Sequence, residues 1–280
     1  MDPFKKDVPN AWCPGCGNFA ILNALQAALH EEGIAPHEAF IMSGIGQAAK
    51  LPHYISANAY NGLHGRALPA AMGAHAANPK LKIIVNSGDG DTYGEGGNHF
   101  LHHVRRNVDM VHLVHDNQVY GLTKGQGSPT TAMGQITTLQ QDGMKSLPVN
   151  PVLLALSLGA TFVARAYSQN IEQLKELIKA GLNHPGYALI DIFQPCVSFN
   201  KVNTYQWYSS NTTTLPEDYD PTNLELAMEY ARKEAPEIPL GILYQIERPH
   251  FMQMQSHLDR PIIEYDRQPE DIKRLLANHI

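Results

Sequence analysis

Cysteine is scarce, at 3 in 280 residues. An odd, sparse set does not build a disulfide framework and points instead to thiolate chemistry in a reducing compartment. Charge is also low. Charged residues make up 17% of the chain against 43% hydrophobic, which excludes a solvated, disordered segment. Cations are outnumbered, 21 Lys plus Arg against 27 Asp plus Glu, and no Lys/Arg cluster exceeds a pair such as Lys5–Lys6 or Arg105–Arg106. A nucleic-acid binder would carry a basic stripe, so nucleic acid is excluded as a partner. No apolar run approaches the ~20 residues that span a bilayer. The longest candidate, 152–166, is broken by Ser157, Gly159 and Arg165. The N-terminal MDPFKKDVPN has no apolar core of a secretory signal. The expectation is a cytoplasmic chain that uses no membrane. Glycine (22) and proline (19) are plentiful but follow no period, which excludes collagen-like and solenoid arrays.

What is present alternates strand and helix. Strands are expected at 39–42, 82–86, 110–115, 161–166 and 187–193. Ile21, Leu22, Leu25, Ala28 and Leu29 recur at helical spacing after Asn18, a plausible N-cap, and Gly33 stops them. Asn150-Pro151 opens a second helix, and Asn170 with Gln173 could form a capping box for a third. The pattern predicts an α/β fold, a mostly parallel sheet with helices on both faces. Beyond Phe199 the texture changes to Asn, Thr, Tyr and Ser, with a helix expected at 223–233 and then a Pro-punctuated tail. The chain therefore divides into an α/β domain, 1–199, and an irregular C-terminal extension, 200–280, packing on the core or on a partner.

The unusual polar segments follow strands: SGIG (43–46), SGDGD (87–91), DNQVYG (116–121) and QPC (194–196). Ligands of open α/β sheets bind outside the carboxyl ends of strands, so these segments point to one shared site. Asp89 and Asn117 lie 28 residues apart, one strand–helix–strand unit. A carboxylate, an amide oxygen and a nearby carbonyl are hard ligands suited to Mg²⁺, and the glycines of GDG admit a diphosphate. Tyr120 to Gln126 adds a hydroxyl, a cation and exposed amides suited to phosphate or carboxylate. His64 and Arg66, flanked by glycine, suit an anion. Cys13 and Cys16 form a CxxC pair, with Cys196 after a later strand. Zinc, iron–sulfur and dithiol chemistry all fit that spacing. His99, His102 and His103 share a helical face, which is better read as packed or solvated than as a metal site.

Together WCPGCG (12–17), SGIG, GLHGRALP (62–69), GDGD (88–91), GGNHFLHHVRRN (96–107), DNQVYGLTKGQGSPT (116–130) and QPC resemble the β subunit of a 2-oxoacid:ferredoxin oxidoreductase. YGLTKGQ resembles the 2-oxoglutarate and broad 2-oxoacid members more than the pyruvate-specific ones, and the tail segments LPEDYDPTN and IPLGILYQIERP look like the family's too. The resemblance covers nearly the whole chain. It implies the diphosphate-binding half of a thiamine diphosphate site, with Mg²⁺ held by Asp89, Asn117 and the carbonyl of Val119. Gly44, Ile45, His64, Gly88, Gly90, Asp91, Gly121, Leu122 and Thr123 would surround the cofactor, and Lys124 and His64 would act in catalysis. It also implies an iron–sulfur cluster, of the 4Fe-4S kind, on Cys13, Cys16 and Cys196.

The partners implied are an α subunit that carries the aminopyrimidine-activating half, ferredoxin, coenzyme A and a 2-oxoacid. The reaction implied is oxidative decarboxylation to acyl-CoA, or the reverse carboxylation. One departure stands out: where the family has a fourth cysteine, this chain has Gln47. A three-iron cluster, a four-iron cluster with water, Gln47 or another side chain on its last iron, and a lost cluster all follow from it. The alternatives are a non-oxidative thiamine decarboxylase subunit without a cluster and a zinc-stabilised assembly subunit.

Overall fold

The computed structural model describes residues 2–255, 258–266 and 268–277. Residues 256, 257, 267 and 278–280 of the expected extension lie outside the described residues.

Eight strands build the main sheet: β1 (Ala39–Ser43), β2 (Asn58–Asn61), β3 (Lys82–Gly88), β4 (Met110–Asp116), β7 (Phe162–Tyr167), β8 (Tyr187–Phe193), β9 (Thr212–Thr214) and β10 (Ile238–Gln245). Their order across the molecule is β2-β1-β3-β4-β8-β7-β10-β9. A separate pair, β5 (Val119–Tyr120) and β6 (Gln126–Gly127), is antiparallel. In the large sheet every pairing is parallel except β10 on β7. Strands β4 and β8 are buried along their whole length, as an interior parallel pair covered on both faces must be.

The helices are α1 (Asn18–Glu31), α2 (Ala67–Ala77), α3 (Gly97–Arg106), α4 (Pro151–Ser157), α5 (Ile171–Asn183), α6 (Tyr205–Asn211), α7 (Leu224–Ala231) and α8 (Pro269–Ala277). They divide between the two faces. Leu25 and Leu29 of α1 pack with Leu174, Leu177 and Ile178 of α5 over one face. Leu68 of α2, Phe100 of α3, Leu156 of α4 and Ala227 of α7 share the core on the other. The predicted doubly covered sheet is the one observed.

Local signals mark three of the helix starts. Asn150, Asn170 and Asn223 each accept a hydrogen bond from the backbone N–H three residues on, and Pro151 takes the first position of α4. The start of α1 differs. Gly17, not Asn18, is the cap, and Asn18 is buried one position inside the helix, with Oδ1 2.8 Å from His115 Nδ1. Gly17 stands there because a Cβ would crowd Gln194 and Ser168. Gly33, in the left-handed region at φ 68°, follows the helix as expected.

The C-terminal region holds more order than its composition promised. Residues 205–211 form a helix capped by Thr204, and the proline-bearing 238–245 is a strand of the main sheet. Pro239 is tolerated because β10 is bordered on that side only by the three-residue β9. Among the described residues no helix is long and apolar enough to cross a membrane.

Candidate functional site

Three neighbouring strands, β1, β3 and β4, end at one edge, and their successors wall a cavity of about 100 Å³. Ile45, Gly46, Gln47 and Ala48 come from the turn after β1. His64 comes from the loop before α2, and Gly88, Asp89, Gly90 and Asp91 from the end of β3. Asn117, Val119, Tyr120, Gly121, Leu122 and Thr123 follow β4. The segments that the sequence singled out separately are thus one surface. Of the expected cofactor-binding residues, all but Gly44 line it. Of the two expected catalytic residues, His64 lines it and Lys124 does not. Lys124 is exposed at φ 85°, its carbonyl accepting from Thr138 Oγ1 at 2.8 Å.

Asp89 is buried at the end of β3, its Oδ2 accepting from Thr130 Oγ1 at 2.7 Å. Burial raises its carboxyl above the ordinary range, against the pull of hydrogen bonds from Ser128 and Thr130. A divalent cation beside it would offset that cost and favour the ionised form. Asn117 Oδ1 accepts from Val119 N at 3.0 Å, so the amide oxygen keeps one lone pair for a ligand. Gln118, at φ 60°, turns the chain tightly enough to bring Val119 back beside Asn117.

Asp91 does a different job. Its Oδ1 accepts from Ile45 N at 3.0 Å and Gly65 N at 2.8 Å, with His64 Nε2 at 3.5 Å. The carboxylate is a bracket holding three loops together. Gly44 is required because a Cβ would overlap that carboxylate, so its place in the site is to make room rather than to line it. Gly90 is required for the same reason, since a Cβ would overlap the ring of Tyr120. Tyr120 in turn donates to Glu95 Oε2 at 3.1 Å and sets an edge toward His64.

A second cavity adjoins the first. Cys13, Cys16 and Cys196 all line it, with Trp12, Asn18, Gln47, Asn117, Gly121, Gln194 and 197–199. Gln47, Asn117 and Gly121 line both cavities and form the wall between them. Cys16 N donates to Cys13 O at 3.0 Å, closing the CxxC turn. Ser198 Oγ donates to Cys13 Sγ at 3.1 Å, and Gln194 Nε2 to Cys16 Sγ at 3.5 Å. Burial pushes the Cys16 thiol up to about 11, and the neighbouring Cys196 and Cys13 add to the rise. Among the described residues no three His, Cys, Asp or Glu side chains are drawn together as a metal-holding group. Gln47 Oε1 is buried without a hydrogen-bond partner, and Trp12 Nε1 donates to the Gln47 carbonyl at 2.7 Å, fixing the backbone.

His103 is buried on α3, donating from Nδ1 to the His99 carbonyl at 2.6 Å. Burial lowers its pKa to about 4.

Sequence reading did not single out Thr130, Gln194 or Asn200, which hold Asp89, Asn117 and the Asn117 carbonyl. Their only signal is position within the quoted segments or just beyond them.

Fold and cavity define a thiamine diphosphate-type chain. Residues 40–192 match the family described as thiamine pyrophosphate enzyme, C-terminal TPP binding domain. Residues 196–260 match the family described as the C terminal part of the pyruvate ferredoxin oxidoreductase β subunit. The 2-oxoacid:ferredoxin oxidoreductase subunit β of Saccharolobus solfataricus is 41% identical, covering 95% of each chain. The 2-oxoglutarate synthase subunit KorB of Methanocaldococcus jannaschii is 32% identical, over 88% of this chain and 91% of its own. A solved 2-oxoglutarate:ferredoxin oxidoreductase from Magnetococcus marinus, with 2-oxoglutarate, coenzyme A and succinyl-CoA bound, superposes with a TM-score of 0.92 at 37% identity, covering 99% and 96% of the two chains. The chain belongs to the β subunits of the 2-oxoacid:ferredoxin oxidoreductases, enzymes that work as multi-subunit assemblies.

Proposed function

We propose that this β subunit, acting in the cytoplasm with an α subunit, oxidises 2-oxoglutarate. The overall change is 2-oxoacid plus coenzyme A plus two oxidised ferredoxins to acyl-CoA, CO2, two reduced ferredoxins and one proton. The direction is reversible with the potential of the acceptor. The observation that carries this reading is the shared wall: Gln47, Asn117 and Gly121 separate a diphosphate-type cavity from a three-cysteine cavity. The choice of 2-oxoglutarate leans on the names of the Methanocaldococcus and Magnetococcus relatives.

Asp89, Asn117 and the Val119 carbonyl would hold Mg²⁺, and the buried, costly Asp89 carboxylate fits that role. The backbone of Gly90 and Gly121 with His64, Leu122 and Thr123 would cradle the diphosphate. His64, half-buried with Nε2 3.5 Å from Asp91 Oδ1 and 3.4 Å from Glu95 Oε2, would stand beside it. Lys124 would serve a substrate carboxylate from outside the cavity. Cys13, Cys16 and Cys196 would hold the cluster, and the unpartnered Gln47 Oε1 fits its fourth position. Thiamine diphosphate supplies the decarboxylating carbon nucleophile, and an iron–sulfur cluster supplies one-electron acceptance. The aminopyrimidine-activating group would come from the α subunit. The expected unit 1–199 would bind the cofactor, with β9 and β10 of the C-terminal extension completing its sheet and the rest of that extension packing on the core or on the partner.

The test is iron, zinc and acid-labile sulfide content, with EPR of the reduced state, on the anaerobically co-expressed complex. Iron with matching sulfide is expected, and Gln47→Cys should alter the EPR signal. Zinc, or no metal, at the cysteines would remove electron transfer and leave a non-oxidative decarboxylase or an assembly subunit.

A further inference from the structure

Gln194 is buried at the end of β8, its backbone N–H donating to the Asp116 carbonyl at 2.9 Å. Its side chain touches both cavities' machinery. Oε1 accepts from Asn117 Nδ2 at 3.1 Å. Nε2 donates to the Pro195 carbonyl at 2.8 Å and to Cys16 Sγ at 3.5 Å. These contacts allow one orientation of the amide. Turned over, it would set two donors against each other at Asn117 and two acceptors at Pro195. Gly17 keeps the space, since a Cβ there would lie 2.9 Å from Gln194 Cγ.

The consequences run in both directions from the amide. Because Asn117 Nδ2 is claimed by Gln194, Asn117 Oδ1 is left toward Val119 N and the proposed metal. Because both Nε2 hydrogens are used, one of them lies against the Cys16 sulfur. An N–H aimed at a thiolate favours the more negative state of whatever that thiolate binds, and hydrogen bonds to cluster sulfurs are a known lever on potential. Partners that orient a metal's ligands also set its affinity.

We propose that Gln194 is a positioning residue for both centres at once, orienting Asn117 toward Mg²⁺ and raising the potential of the cluster through Cys16. The sulfur half rests on the cluster reading above, whereas the Asn117 half does not.

Two variants separate the halves in the co-expressed complex. Gln194→Met is neutral and removes donor and acceptor. Gln194→Glu removes the donor but keeps an acceptor for Asn117. The readouts are Mg²⁺ affinity in the presence of thiamine diphosphate and the reduction potential from an EPR-monitored titration. Both variants should lower the potential, Gln194→Met by about tenfold in the one-electron equilibrium, or about 59 mV. Only Gln194→Met should weaken Mg²⁺ affinity, by about 10- to 100-fold. An unchanged potential and Mg²⁺ affinity in Gln194→Met would overturn the proposal. So would equal loss of Mg²⁺ affinity in both variants, which is the mark of a purely structural role. Should Gln194→Met fail to accumulate, Gln194→Glu still decides, because it must lower the potential at wild-type Mg²⁺ affinity. A wild-type complex without iron overturns the cluster reading and the sulfur half with it, while the Mg²⁺ titration still judges the Asn117 half.

Discussion

The two cavities share a wall, yet they are built by different means. The diphosphate-type cavity collects its polar groups from the ends of three adjacent parallel strands, β1, β3 and β4. Its buried carboxylates are tied by short hydrogen bonds, Asp89 to Thr130 and Asp91 to Ile45 and Gly65. The cysteine cavity shares the residues after β1 and β4 and adds a turn before α1 and a loop after β8, spanning residues 12 to 199. Among the described residues Asn18 Nδ2 in this cavity, and Gln47 Oε1 in the shared wall, have no hydrogen-bond partner. A site on strand ends is positioned by the sheet, whereas a site between loops depends on the few side chains that tie those loops together.

The sharpest way to break the comparison is to disable one cavity alone. Asp89→Ala should lower Mg²⁺-dependent thiamine diphosphate affinity by more than the roughly 100-fold that losing an outer partner costs. Calorimetric titration checks this, and iron content should stay unchanged. Equal loss of iron would show that the two cavities are one unit.

Both cavities rest on β4, whose His112 and His115 are buried and held near a pKa of about 3 by that burial. The unfolded chain takes up these protons near pH 6.5 and the folded chain does not. Each histidine's contribution to stability is therefore present above pH 6.5 and lost as pH falls toward 3. The buried Asp191, raised to about 6 chiefly by burial, works in the opposite sense, so the effect is read by difference. Denaturant unfolding of His112→Gln between pH 4 and 6.5 should show a slope shallower than wild type by about 1.4 kcal/mol per pH unit. Parallel slopes would mean that His112 is charged in the fold.

A smaller effect is expected from Gly44→Ala, which forces a methyl against the Asp91 carboxylate. A loss of about 1–3 kcal/mol is expected, read as a lower Tm, together with weaker cofactor binding. Thr130→Val should be mildest. It deprives Asp89 of its 2.7 Å donor and should cost about 10-fold in Mg²⁺ affinity, seen in the same titration as Asp89→Ala.

The same contrast explains what could be read from the chain. Asp89 and Asn117 were legible because one strand–helix–strand unit fixes their separation and the sheet does the rest. Asn150 and Asn170 were legible because a cap is a local device. Asn18 misled because its amide serves His115, 97 residues away, and the cap falls to Gly17. Gln194 and Thr130 carried no pattern of their own, since each acts through partners distant in sequence. The strand at 238–245 was hidden by its proline and by the glycine at φ 136° beside a bulge.

The loop between β6 and α4 joins two unlike surfaces. At its root Thr130 grips Asp89 and Thr131 Oγ1 donates to the Gln118 carbonyl at 2.6 Å. Farther out it shows Met133, Ile136, Leu139 and Leu147 to solvent. A partner that covers those side chains would press on the segment that positions the buried Asp89 carboxylate, the proposed Mg²⁺ ligand. Equilibrium thermodynamics then imposes a reciprocity: the factor by which assembly changes Mg²⁺ affinity is the factor by which Mg²⁺ changes assembly. Measuring dissociation of the assembly with and without Mg²⁺ would give that factor, and a value of one would mean that the loop does not transmit assembly to the metal.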